Sequence, residues 1–600
     1  MITYRPVTPK EQSLLQSYGN RADNWEEIFI TDETTLSLIQ NCRFYGRVRI
    51  GALQFSMRKY PHNPEGISSS VLSNCVIGDH CSISQVHLLS DYTVGSHVTL
   101  FNIGEMTADA DDISPLTVIN ENGGRGVVPF PGMTVGEAYL WARYRGRGRF
   151  MEKLSEFARK ELKEGLGLIG DGCVIRNTEA LRNVLVGSAV DNPTLITDCV
   201  SLVDGIIEQG CWIESGTIAH RFVLGEHVHL AFGLRLNDTV VGANSTLCRC
   251  EVGHSMIFPA HEQHHNNSFL IAALVMGQSN VAAGATIGSN HNGRTADNEL
   301  HAGRGFWPGL CCSLKHSSRF TSYTLLAKGD FPAELNITLP FSLVNNNPQK
   351  NQLEVMPAYW WMYNMYSLKR NNTKFAARDK RVLKTQHIEF DILAPDTVEE
   401  IITARHLLRE WTSEAYLRSR NEGTAIKVMG HGMEHSKRPT VILKAAEGYQ
   451  AYEEMLLHYS MSLLRKSYAD ALPPASLGEG EREAHWENIG GQIISKPDIE
   501  QLISDTEKGI INSWGDLHDR LNQLWQAYPE AKLRHAYKVL CLITGNKTID
   551  AEQWANLLLR HAKIEEFIQQ QIAATRQKDD TNPFRQMMYQ DQAESDAVLK

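Results

Sequence analysis

Six hundred residues exceed what one compact core accommodates, so the chain divides into two or more domains. With 42% apolar and 21% charged residues the composition is that of a soluble globular protein, and 59 Lys plus Arg against 69 Asp plus Glu leave a net charge of −10. That balance gives no bulk attraction to nucleic acid or anionic membrane. No apolar run approaches the roughly 20 residues of a bilayer span, and the first twenty residues carry no secretory apolar core.

Residues 1–66 read as an N-terminal cap, with Thr8-Pro9-Lys10-Glu11 as a capped helix start. From Val71 to Gly288 aliphatic residues pulse about every six positions, often followed by glycine: Ile77-Gly78, Val94-Gly95, Ile169-Gly170, Leu224-Gly225, Val241-Gly242, Val252-Gly253 and Ile287-Gly288. Shorter series keep the same spacing: Val71, Ile77, Ile83; Leu224, Leu230, Leu236; Val275, Val281, Ile287. Helices repeat every 3.6 residues and ordinary strands every second one, so neither explains this period. A hexapeptide parallel β-helix does, because each flat face of the coil takes one such unit. Three residues after the glycine come Cys81, Val98, Cys173, Val228 and Ser245, a narrow inward slot that makes several cysteines core residues. Eleven cysteines without framework spacing or a C-x-x-C pair point to free thiols in a reducing cytoplasm.

The first coils occupy 67–104. A helical insertion follows over 105–166, where Phe150, Leu154, Phe157, Ala158 and Leu162 share one helical face. The main β-helix covers 167–345. In 346–395 Pro357 opens a helix, and Tyr359, Tyr363 and Tyr366 line one face of it beside Trp360 and Trp361. Residues 396–580 have helical periodicity, with helices expected over 498–526, 530–543 and 551–575, and 581–600 form a polar tail. The fold class is mainly β with an α domain: a parallel β-helix carrying a helical insertion, then an all-α C-terminal domain.

Ten of the 23 histidines fall between His220 and His316: His220, His227, His229, His254, His261, His264, His265, His291, His301 and His316. Stacked coils would bring such residues together. In one reading His291 or His264 is a general base, Asn290 positions the acceptor, and Arg294 and Arg304 hold phosphate or carboxylate, with His301 and Asn292 beside them. In a second, three histidines bind zinc. In a third, His and Asn ladders satisfy turn backbones. The densest basic segment, Arg143 to Arg149, offers Arg145 and Arg147 to a nucleotide's diphosphate. Pairing with acidic residues is the competing role, and no base-stacking platform accompanies it for RNA. No P-loop and no strand-linked Gly-x-Gly-x-x-Gly appears.

The pulse resembles the left-handed β-helix superfamily of hexapeptide acyltransferases, γ-class carbonic anhydrases and C-terminal domains of sugar-nucleotide pyrophosphorylases. Ser289 to Gly309 (SNHNGRTADNELHAGRGFWPG) and Lys328 to Val344 (KGDFPAELNITLPFSLV) are similar to a long bacterial family labelled as related to UDP-N-acetylglucosamine pyrophosphorylase. The resemblance implies a left-handed coil and a homotrimer; it transfers no catalytic residues, and the pyrophosphorylase's glycine-rich catalytic domain has no counterpart here. The expected activity is transfer to an activated sugar or phosphorylated small molecule, with acyl-coenzyme A as co-substrate. The alternatives are a nucleotide-sugar-binding scaffold and a γ-carbonic-anhydrase-like metalloenzyme.

Overall fold

The computed structural model describes the chain except residues 1–2, 56–63, 110–113, 121–124, 163–166, 289–297, 424, 579–581 and 600. Parallel β-solenoid coils run from Arg21 to Val344. They begin within the stretch expected as a cap: Arg21–Ala22 pairs in parallel with Arg43–Tyr45, which pairs with Val71–Ser73. The cap proper is the strand Arg5–Pro6, antiparallel to Ile28–Ile30, and helix α1 (Pro9–Ser17) with a Thr8–Glu11 capping box.

Regular coils advance seventeen residues at a time, so Phe222 lies between Gly205 and Thr239. The aliphatic pulse faces inward. Val186, Ile207, Leu224, Val241, Ile257, Val275, Ala302, Phe320 and Ile337 sit one over the next in strict register, all buried. Each large member contributes about 1.5–3 kcal/mol by leaving water. The glycines that follow mark close approach between coils: a Cβ on Gly225 would lie 2.8 Å from the Ala243 nitrogen, and one on Gly242 2.6 Å from that of Pro259. At one corner Asn183, Asp204, Arg221, Asp238 and His254 all take left-handed backbone, with φ between 46° and 53°. Side chains tie this ladder together, Asn183 Nδ2 donating to Asp204 at 3.1 Å and Arg221 Nε to Asp238 at 2.8 Å. All eleven cysteines are free, and inward ones bridge coils, as where Cys81 and Cys211 donate at 3.2 Å to the carbonyls of Gly95 and Gly225.

One flank of the solenoid also has an apolar outer row: Leu185, Ile206, Val223, Val240, Met256 and Leu274 in register. The insertion covers it. Helices α2 (Val135–Arg143) and α3 (Gly148–Glu161) form a second core with this row and with C-terminal residues. At its centre Trp514 stacks on Phe130 at 4.2 Å, with Trp141 at 6.2 Å and Phe157 at 6.1 Å.

After the coils come α4 (Tyr359–Tyr363), α5 (Met365–Ala377), α6 (Pro395–Glu422), α7 (Ala445–Tyr468), α8 (Lys496–Glu507), α9 (Trp514–Thr544) and α10 (Ala551–Gln577). Pro357 stands just outside α4, because Ala358 takes φ 50° at its N-cap. The expected helix pair 498–526 and 530–543 divides elsewhere: Ser513 caps a new helix, and α9 runs through Pro529. Flanking anchors carry α9 past the missing hydrogen bond, since Tyr528 and Lys532 both bind Glu389 at 2.7 Å. The helical region also holds a hairpin, Trp486–Ile489 with Gln492–Ser495, and a strand, Thr440–Ile442, beside Gln352–Met356. Among the described residues no helix is long and apolar enough to cross a membrane.

Arg304, expected as an anion holder, instead joins the solenoid to α6. Only 2% exposed, its guanidinium makes two 2.9 Å bonds to the Asp396 carboxylate and another 2.9 Å bond to the Asp391 carbonyl. These protein acceptors occupy the donors a ligand would need. Nearby, the Ser322 N–H donates to Glu400 at 2.9 Å. Burial pushes the Glu400 carboxyl up to about 7, with Ser322 opposing and Asp396 reinforcing the shift.

Replacing Asp396 with alanine strands a buried guanidinium and is expected to destabilise the protein by roughly 3–5 kcal/mol in chemical denaturation. An unchanged midpoint would rule out the latch. Glu400 has a raised folded-state pKa, so its contribution is fully present below about 4.5 and is lost as pH rises through about 7. Glu400→Gln should therefore match wild type in melting temperature near pH 4 and exceed it at pH 8; parallel curves would contradict this assignment.

Candidate functional site

The outer apolar row ends in a polar residue. His301, in the strand Leu300–Ala302, sits directly over Leu274, with Arg319 as its next neighbour. It therefore stands at the rim of the patch that the insertion covers. A short hairpin of the insertion, Leu116–Thr117 with Gly126–Val127, brings Arg125 to the same rim. The hairpin is pinned to the corner ladder: the Thr117 N–H donates to Asp238 at 3.0 Å and His254 Nδ1 to the Thr117 carbonyl at 2.9 Å.

Glu299 is the meeting point of this seam. Its Oε1 accepts from Arg125 Nη2 at 2.6 Å and lies 3.0 Å from His301 Nε2. Donation from Nε2–H to the carboxylate leaves Nδ1 of the neutral ring as its acceptor. Arg125 Nη1 donates to the Ala142 carbonyl at 2.9 Å, while its buried Nε has no acceptor among the described residues. Burial pushes the Glu299 carboxyl up, but His301, Arg125 and Arg145 outweigh it and hold the group below its ordinary range. Burial lowers the Arg125 guanidinium; Glu299 opposes this, and Arg145 and Arg143 add to it. The seam thus sets Arg125 and Arg145 beside one carboxylate, with Arg143 next to Arg125, and guanidinium forks of this kind suit an anion.

The C-terminal hairpin braces the arginine-bearing end of α2. Tyr144 and Tyr139 donate to Glu487 at 3.1 and 3.4 Å, and Arg143 lies 5.9 Å from the Tyr144 ring.

The expected site residues separate. Arg145 and His301 come together at Glu299. Arg147 pairs with Glu500 of α8. His264 follows the strand Glu262–Gln263, away from the seam's row, with its ring 4.4 Å from that of His265. Glu262, two residues before His264, pairs with Lys374 of α5 at 2.6 Å and with Arg378 at that helix's C-cap at 3.0 Å. Burial, then His265, lowers the His264 imidazole. His291, Asn290, Asn292 and Arg294 lie outside the described residues.

The remaining histidines are dispersed among strands and corners. His229 pairs with Glu214 at 3.1 Å, and His316 Nε2 donates to the Ile271 carbonyl at 2.8 Å. His261 bonds Ser279 and Gln263, and burial pushes it down to about 4. Among the described residues no three His, Cys, Asp or Glu side chains form a metal-binding group. Arg125 and Glu299 escaped the sequence reading. Glu299 stands two residues before His301, which was its one local signal.

A family model described as "Domain of unknown function (DUF4954)" matches residues 4–191 and 165–412, and another, "Domain of unknown function (DUF6819)", matches 470–583. An "Uncharacterized protein" of Treponema pallidum (strain Nichols) is 38% identical over 655 residues, covering 99% of this chain and 90% of its own length.

If Trp514 holds the insertion against the flank, Trp514→Ala should lose about 3–5 kcal/mol of stability. Limited proteolysis should then cut first between Arg143 and Arg149. Wild-type resistance at those bonds would show that other contacts suffice.

Proposed function

The chain belongs to the family described as Domain of unknown function (DUF4954), and from the seam we propose that it binds a small phosphorylated or carboxylated molecule there and transfers a group to it. The observation that carries this reading is the Glu299 carboxylate shared by His301 and Arg125, with Arg145 close by.

In this reading Arg125, Arg143 and Arg145 hold the anion, and Glu299 orients His301 as a general base. With an acyl-coenzyme A donor, His301 Nδ1 takes the proton of the acceptor hydroxyl or amine as that atom bonds to the thioester carbonyl carbon. The C–S bond breaks, and the leaving thiolate recovers the proton from the imidazolium. Positioned acid–base catalysis of this kind supplies about 10²–10⁴-fold in rate. The resemblance to pyrophosphorylase-related proteins makes nucleotide sugars and sugar phosphates the first acceptors to examine. The same reading takes the protein as a cytoplasmic homotrimer. Buried free thiols fit a reducing compartment, and Trp212, Ile218 and Phe232, 44–47% exposed on the coils, would suit contacts between copies.

A thermal-shift panel of acetyl-CoA, succinyl-CoA, UDP- and GDP-sugars and sugar phosphates tests this. A ligand at 100 times its Kd should stabilise the fold by about 2.7 kcal/mol. Arg145→Ala should weaken that shift, and His301→Ala should abolish acyl transfer while keeping the wild-type melting temperature. No shift with any compound would overturn the reading in favour of a scaffold.

A further inference from the structure

A second concavity, mostly apolar in its lining, lies in the helical region and shares no lining residue with the seam. It is a cavity of about 310 Å³, bounded by Trp361, Lys369 and Asn372 on one side and by Asp391, His458 and Tyr459 on the other. That volume falls at the lower end of small-molecule sites. Leu393 and Leu463 complete an apolar wall with Trp361.

Its polar groups are mostly donors. The Asn372 side-chain oxygen accepts from the Ile392 N–H at 3.1 Å, so its amide NH₂ is what remains to offer. The Lys369 ammonium makes no hydrogen bond to any described residue; burial lowers its pKa, and the nearby Asp391 and Glu565 carboxylates oppose that shift. Asp391, the one carboxylate in the wall, is held by Lys532 at 2.8 Å, which offsets its repulsion of an anion.

A relay sets the histidine. Arg465 Nη1 lies 3.1 Å from His561 Nδ1, and a guanidinium can only donate, so that nitrogen accepts. His561 then carries its proton on Nε2, which lies 3.1 Å from His458 Nδ1 and donates to it in preference to Ser462 Oγ at 3.4 Å, whose hydroxyl lies 3.3 Å from the same His458 nitrogen. His458 is left with its proton on Nε2, the ring nitrogen that bonds to no described residue. Burial, then Lys369 and His561, push the His458 imidazole down to about 3, so it is a neutral donor at physiological pH.

We propose that this cavity binds a small organic anion, with a phosphate or carboxylate head held by Lys369, Asn372 and His458 Nε2–H and a flat apolar body against Trp361. An ammonium with no direct hydrogen bond, together with two neutral donors, selects a negative head; the indole and leucine wall selects the body.

Calorimetric titration of the full chain with phenyl phosphate, benzoate and benzyl alcohol tests this. One or both anions should bind, benzyl alcohol should bind at least about tenfold more weakly, and the stronger anion identifies the head group. Lys369→Met should weaken anion binding at least about tenfold, with the melting temperature kept or raised because a buried charge is removed. Asn372→Asp, which sets a carboxylate at the head, should do the same, and His301→Ala in the seam should leave binding here unchanged. No heat with either anion, equal binding of the alcohol, or wild-type affinity in Lys369→Met would each overturn the proposal.

Discussion

Each coil of the solenoid must place its inward residues directly over those of the coil before, because a parallel ladder leaves no freedom to slip once one face is buried. The row from Val186 to Ile337 is that constraint made visible. A shift by one residue would turn aliphatic side chains out and corner residues in. The glycines after the pulse, the left-handed corners and the thiols that donate from one coil to the next all follow from the same vertical stacking. Insertions are accommodated where the chain leaves between faces and returns in register: Val94 pairs with Ile169 as closely as Ile77 pairs with Val94.

Regular stacking also makes long rows of outward side chains, and these rows decide where the rest of the protein attaches. The row from Leu185 to Leu274 would expose a continuous apolar strip if left bare. The insertion and the C-terminal helices close it from two sides, with Trp514 at their junction. At the end of that strip the row becomes His301, so the polar seam lies where the apolar cover stops. Attachment of the helical region has a different character. It rests on a buried charge network, Arg304 with Asp396 and Lys532 with Glu389 and Asp391, whose members are costly to strand singly.

The crowding of histidines along the chain did not become one cluster. Coil stacking aligns residues about seventeen apart, whereas residues a few positions apart are sent to different faces and corners. His254 and His264 are therefore separated by the geometry that keeps His254 in line with Asp238. Pairs recognised too late in the chain to be linked by period, such as Arg125 with Glu299, carry no repeating signal at all.

What the amino-acid sequence determined by itself was the repeating part: the β-solenoid, its interruption by a helical segment, the inward aliphatics and cysteines, and the change to helical periodicity near Thr397. Each of these is written locally, many times over, in residues a few positions apart. The solenoid's start at Arg21 was less legible, because the first coils have short, irregular strands. Only the tertiary structure decided that Arg304 is a latch 92 residues from Asp396, that Arg125 meets Glu299 across 174 residues, and that His301 marks the rim of a covered strip. Those pairings depend on which outer row each added element covers, and the period that spaces an outer row does not say which distant segment will lie on it.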